Sequence, residues 1–520
     1  MTGRRNKNTD KLFAGFFALL FIMLFFLPAS IPAYGGEDQF AFLSEPGVRI
    51  GVSNGSVQEQ LVRKLYPGAE IYIMEKFSGY EALAQGKIDA YVYDRKQMEL
   101  ALENGLKGVR LLDGSIGDPT RIAIGISDRS DIPDIEDKVN SFIDEIKADG
   151  TLDDMYDRWV VEGDHEMPET KKPLSPEYTL TVGTTGDVEP YSFYEGNNLV
   201  GYDMELVNRF AAYINADISV KIFDWDSIVA SCKSGKTDII ASDLQYTPER
   251  AEEIIFSQVL FEEQNGVMVK DTGLAAGNGI SGFISSVKSS FIKTFVKEDR
   301  YTLFLSGIFT TLLITVLSVL FGTILGFLVF MACRGGGRMA NFLADRSVRL
   351  VLGMPTVVLL MILYYVVFSW VDISGTIVAV IAFSLIFASG VLNMLRIAVG
   401  AVDSGQTEAA LALGYSDIRS FFRFILPQAM PYFLPVYRNE LVSLIKATAV
   451  VGYIAVQDLT KMGDIVRSRT YEAFFPLIAV AVIYFFLEWL ITLTASKLEN
   501  GFDPKRRKKE EILKGITITD

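Results

Sequence analysis

Histidine and cysteine are almost missing from this 520-residue chain: His165 stands alone, and Cys232 and Cys333 are the only cysteines. Histidine-ligated zinc and a Ser-His-Asp triad therefore lack their usual material, and no metal, cofactor or catalytic residue is expected. The two cysteines fall in stretches of different character, one acidic and one within a long apolar run, so no disulfide framework is available. Basic residues are also in short supply, 49 against 63 acidic ones for a net charge of −14, which argues against a nucleic-acid partner.

What the chain has instead is apolar surface: half of its residues are hydrophobic and the mean hydropathy is +0.27. The charge is unevenly spread, because residues 37–271 hold 45 acidic and 22 basic residues while the remainder is net positive. An acidic half outside the membrane, joined to a membrane half with basic cytoplasmic flanks, fits that asymmetry. Arg4, Arg5, Lys7 and Lys11 precede an apolar run from Leu12 to Leu27, so residues 1–36 read as a secretory signal peptide or an N-terminal membrane anchor.

Residues 46–161 alternate short apolar runs with helical patterns, which predicts an α/β lobe with a largely parallel sheet. The polar, proline-containing stretch 162–177 reads as a linker. Residues 178–270 form a second α/β lobe, and 271–301 a Gly/Ser-rich linker leading into an interfacial amphipathic helix. Residues 302–500 carry membrane spans expected near 303–331, 346–369, 374–398, 431–456 and 473–496, followed by a basic tail, 501–520. With the acidic half outside, Arg334, Arg338, the loop after the third span and Lys505 to Lys509 fall on the cytoplasmic side. Ser231 to Thr237 ends like a phosphate-binding loop, but Ala230 stands where its first glycine is needed, so it reads as a turn before a strand.

That cytoplasmic loop, Glu408 to Pro427, is the most specific stretch in the chain. Its first part favours helix, Gly414 can end that helix in a left-handed conformation, Ser416 can cap a second one, and Pro427 closes it or opens the next. Glu408, Ala409, Ala410, Gly414, Leu426 and Pro427 fall on the pattern of the EAA loop of ABC importer permeases, which the stretch resembles; Phe424 stands where that family usually has Ile. The resemblance implies a loop that docks on a separate ABC ATPase subunit. Gly307 to Leu312 and Ser318 to Gly326 resemble the first span of polar amino-acid permeases, although Leu352 and Ala447 replace residues usual in that family.

The two lobes resemble a periplasmic-binding-protein-like amino-acid receptor of the type II class. Thr247 to Arg250 matches a T-x-x-R motif whose arginine clamps the ligand's α-carboxylate, Asp94 stands where an aspartate accepts the α-ammonium, and Ser56 lies in the matching loop at a helix N-terminus. Val188, Thr185 and Gln245 depart from the pattern. They imply that the stacking ring is either missing or supplied by Tyr191, with Asp187 or Glu189 as partners for the amine. The lobe bearing Ser56 and Asp94 precedes the lobe bearing Arg250, the reverse of the family's order, which reads as a circular permutation rather than two truncated receptors.

The expected protein is multidomain: an α/β two-lobed receptor followed by an all-α permease of about five core helices. The resemblance implies import of a polar amino acid across the bacterial plasma membrane, with residues 37–301 outside, no ATPase site in this chain, and a second permease copy or a related permease completing the pore. A membrane-bound sensor and a ligand-gated channel are the alternatives, and neither accounts for the EAA-like loop.

Overall fold

The computed structural model describes residues 39–170, 173–271, 287–335, 337–371, 373–472 and 474–502. The expected signal or anchor, residues 272–286 of the linker and the basic run Lys505 to Lys509 lie outside the described residues.

Two five-stranded sheets form the soluble half. The first runs in the order Glu70–Ile73, Arg49–Val52, Ala90–Asp94, Asn265–Lys270, Val109–Leu111. Its first three strands are parallel, and Asn265–Lys270 enters antiparallel beside Ala90–Asp94. The second runs Ala216–Ile222, Tyr178–Thr184, Ile239–Ile240, Gly125–Ile126, Ile255–Phe256, again parallel except for a strand borrowed from the other half of the sequence.

This exchange corrects the expected lobe bounds of 46–161 and 178–270. The chain crosses between lobes at Thr120–Ile122 and returns at Phe261–Glu263, and these two strands pair antiparallel as the hinge. Ile122, Ile124 and Ile126 are buried along the first crossing. Beyond it, the helix Ile135–Ala148 and the turn carrying Trp159 pack into the core of the second lobe. Trp159 Nε1 donates to Glu205 at 2.7 Å, and Arg158 pairs with the same carboxylate at 2.8 Å. Each lobe is thus completed by the other segment, as one permuted receptor requires and two truncated ones do not.

Among the described residues, three helices are long and apolar enough to span a membrane, or up to five spans if two bent pairs are each counted as one. Tyr301–Gly335 and Gly375–Gly400 lie against each other, with Gly322 and Gly326 at the contact. A Cβ on Gly326 would sit 2.6 Å from the Ala388 carbonyl, so only glycine permits that approach. The expected second span, 346–369, is not one helix. Arg338–Leu352 and Thr356–Val367 meet at 105°, because Pro355 between them lacks the N–H that would continue the first. The expected interfacial helix over 291–301 is helical only as far as Val296: Glu298 and Asp299 adopt positive φ and break the chain just before the long helix begins.

Two of the charges that interrupt the fourth span, Arg438 and Lys446, find partners on the last helix. Arg438 pairs with Glu499 at 2.8 Å and Lys446 with Glu488 at 2.7 Å. Such pairing is the usual condition for keeping ionisable groups in apolar surroundings. That span bends by 60° into a short helix, Leu459–Thr470, which packs against Tyr301–Gly335 and Phe474–Phe502 and also meets the receptor.

Candidate functional site

A cavity of about 560 Å³ opens between the lobes. The first lobe contributes Ser56, Lys76, Tyr93 and Asp94; the second contributes Asp187, Trp225, Asp243 and Gln245. Its remaining wall comes from the helical domain, through Tyr453, Lys461, Asp464 and Arg467. The receptor cleft and the helical bundle therefore share one chamber.

Asp94 ends the strand Ala90–Asp94, at the carboxyl edge where α/β sheets place ligands. Its Oδ1 accepts from Gln58 Nε2 at 2.7 Å, and both its oxygens accept from Gln245 Nε2 at 3.1 Å. Gln245 belongs to the opposite lobe, so this pair ties the lobes together. Arg250 does the same: its Nη2 donates to the Gly55 carbonyl at 2.9 Å across the cleft, and its Nη1 to the Gln245 carbonyl at 2.8 Å. The guanidinium stands beside the cavity, over the Trp225 ring at 5.1 Å.

Ser56 caps the helix Val57–Leu65 by accepting from Glu59 N, and Thr247 caps Pro248–Ala251 by accepting from Arg250 N. Both hydroxyls are already used, Ser56 on the cavity wall and Thr247 behind it. Asp187 lies on the wall as expected. Tyr191 does not. It is fully buried, stacks on Phe261 with ring centroids 5.4 Å apart, and donates to Glu263, so it belongs to the packing of the second lobe and cannot face a ligand.

Asp243 and Glu263 escaped the motif reading. Their carboxylates and that of Asp94 lie within 4.8 Å of one another, all buried. Asp243 sits at φ 52, which Asp tolerates better than most residues.

Burial pushes Asp94 up to about 7 and Glu263 up to about 8, and it lifts Asp243 well above the carboxylate range, with Glu263 and Asp94 adding repulsion. Lys76 is pushed down by the same burial. These folded-state carboxyls hold protons that an unfolded chain releases near 4, so the folded state binds more protons between roughly pH 4 and 8. The stabilisation is fully present at the acid end and is lost as the pH rises through about 7 to 8. The receptor's unfolding temperature, read by scanning calorimetry without ligand, is therefore expected to fall between pH 5 and pH 8; a rise would contradict the protonated cluster.

The helical domain holds both lobes. On the short helix Leu459–Thr470, Lys461 Nζ reaches Asp224 of the second lobe at 2.8 Å, while Arg467 reaches Glu75 of the first at 3.2 Å. Lys236, from the loop that imitates a phosphate-binding motif, instead donates to the carbonyls of Phe368 and Val371, the latter at 2.7 Å. At the opposite end of the bundle, Ser404–Ala412 ends at Gly414 with φ +85, and Ser416 caps the next turn. Pro427 lies inside the helical stretch that runs without a break from Asp417 to Ala447, so it neither closes that helix nor opens a separate one. Glu408 and Ala409 are exposed, Ala410 is buried, and Leu426 packs on the core. Phe424 meets the Tyr415 ring edge-on at 5.1 Å within the helix pair.

The model of the bacterial extracellular solute-binding proteins, family 3, matches residues 180–448. Over 195 residues the chain is 34% identical to a putative glutamine transport system permease protein of Rickettsia bellii, covering 37% of this chain and 89% of that relative. A probable amino-acid ABC transporter permease protein of Bacillus subtilis is 30% identical over 224 residues, covering 43% of this chain and 97% of the relative. Among solved structures, an amino acid ABC transporter crystallised with histidines is 30% identical, covers 42% of this chain and 97% of its own, and superposes with a TM-score of 0.37.

Proposed function

Since this chain belongs to the bacterial extracellular solute-binding proteins of family 3 and to the permeases of amino-acid ABC transporters, we propose that it is a fused receptor and permease subunit importing a polar amino acid, driven by separate ABC ATPase subunits. The observation that carries this reading is the shared chamber, in which the cleft between the lobes is closed by residues of the permease itself.

In this reading a ligand enters when the lobes part. Its α-carboxylate draws Arg250 away from the carbonyls of Gly55 and Gln245, because a guanidinium binds a carboxylate more strongly than neutral acceptors. The α-ammonium meets Asp94. Lobe closure then leaves the ligand against Tyr453, Lys461 and Arg467, at the outward mouth of the permease. ATPases docked at Glu408 to Pro427 alternate the access of the spans, with a second permease copy or a related permease completing the pore. Residues 37–301 lie outside the plasma membrane and the coupling loop inside.

Calorimetry on the full chain in lipid nanodiscs tests the site. Arg250→Ala should weaken amino-acid binding by about ten- to a hundredfold, the usual weight of a hydrogen bond to a charged group. Unchanged affinity would remove Arg250 from the site.

A further inference from the structure

The geometry points to a ligand that carries a positive charge beyond its α-ammonium: an amino acid whose side chain ends in a guanidinium or an ammonium. This inference rests on the amino-acid reading above and narrows it to one chemical class.

The charges on the chamber wall carry the argument. Three cations, Lys76, Lys461 and Arg467, face seven carboxyl groups there. Lys461 is committed to Asp224 and Arg467 to Glu75. Arg467 also reaches Asp464 at 3.9 Å, so Lys76 is left to answer Asp94, Asp187, Asp226 and Asp243. Its ammonium is already 3.3 Å from both Gln97 Oε1 and the Asp187 carbonyl.

Asp243 adds an independent observation. It is 4% exposed, it lies on the cavity wall, and its Oδ1 has no hydrogen-bond partner among the described residues. Glu263, directly behind it on the hinge strand, leaves Oε2 unpartnered as well. Buried without a partner, the Asp243 carboxyl keeps its proton; a cation within reach lets it give up that proton and pair instead.

A ligand bearing only the α-carboxylate and α-ammonium occupies Arg250 and Asp94 and leaves Asp243 and Asp187 unanswered. A neutral amide side chain supplies a weak donor to one of them, and an acidic side chain adds repulsion. A second cation neutralises what remains. Tyr93, Trp225 and Tyr453 line the same chamber and can cover the apolar stem of such a side chain.

L-arginine and L-citrulline separate the cases, because they differ little in shape while only arginine is charged. Titrated into the full chain in nanodiscs with EDTA present, arginine is expected to bind at least about tenfold tighter than citrulline. Asp243→Asn keeps a residue that tolerates the left-handed backbone and should shrink that ratio below about threefold. Citrulline binding measured in the same variant reports whether it has folded. Citrulline or glutamine binding as tightly as arginine and lysine would overturn the inference and leave the amino-acid importer standing. Putrescine binding where neither amino acid does would support a cation-selective chamber and overturn the amino-acid reading. Binding of none of these would overturn both.

Discussion

Glu408→Lys combined with Gly414→Val is expected to stop ATP-driven uptake while leaving ligand affinity unchanged. Gly414 adopts φ +85, where a β-branched side chain costs on the order of 1–2 kcal/mol, so valine should unwind the turn that sets the two short helices against each other. Around that turn Leu411, Leu413, Ile418 and Phe422 are 47%, 76%, 61% and 48% exposed, an apolar surface fit for a partner protein. Glu408 stands exposed beside it, and reversing its charge should repel whatever basic group the partner offers. The loop and the cleft lie at opposite ends of the bundle, so binding should survive. Uptake in vesicles loaded with ATP and the ATPase subunits should drop to less than about a tenth, the effect of roughly 1.4 kcal/mol or more. Uptake near the parent rate would detach the loop from energy coupling.

Lys461→Met should be nearly as damaging, by a different route. Lys461 is 5% exposed, pairs with Asp224 at 2.8 Å and donates to the Phe223 carbonyl at 3.1 Å. Removing one member of a pair so shielded leaves the other uncompensated, at a cost of about 3–5 kcal/mol. That loss falls on the seat of the second lobe, so the lobe should dock poorly and the initial uptake rate should fall by about a hundredfold or more. Lys461→Met with Asp224→Leu removes both charges and should recover a substantial part of the rate. Losses that simply add in the double variant would show that the two residues act independently.

Much of this architecture was legible along the chain because it depends on local pattern. The strands at Arg49–Val52, Glu70–Ile73 and Ala90–Asp94 announce themselves by apolar runs between turn residues, and Gly414 and Ser416 punctuate the EAA-like loop by their own backbone preferences. What the sequence hid depends on partners far apart. Asn265–Lys270 reads as any apolar strand, and nothing local says that it pairs with Ala90–Asp94 in the other half. Tyr191 follows a receptor motif yet turns into the core, because Phe261 and Glu263 from the hinge are there to receive it. Lys236, Lys461 and Arg467 read as ordinary polar residues until the receptor is seated on the permease. Asp243 becomes notable only once Asp94 and Glu263 are brought beside it.

The central claim is that one polypeptide both captures the ligand and conducts it. Its most direct test is uptake of radiolabelled amino acids, arginine and lysine first, into proteoliposomes holding the full chain with its ATPase subunits and no free binding protein outside. ATP-dependent accumulation that disappears with Arg250→Ala is the predicted result. Uptake that needs an added external receptor, or ligand binding with no accumulation at all, would contradict it.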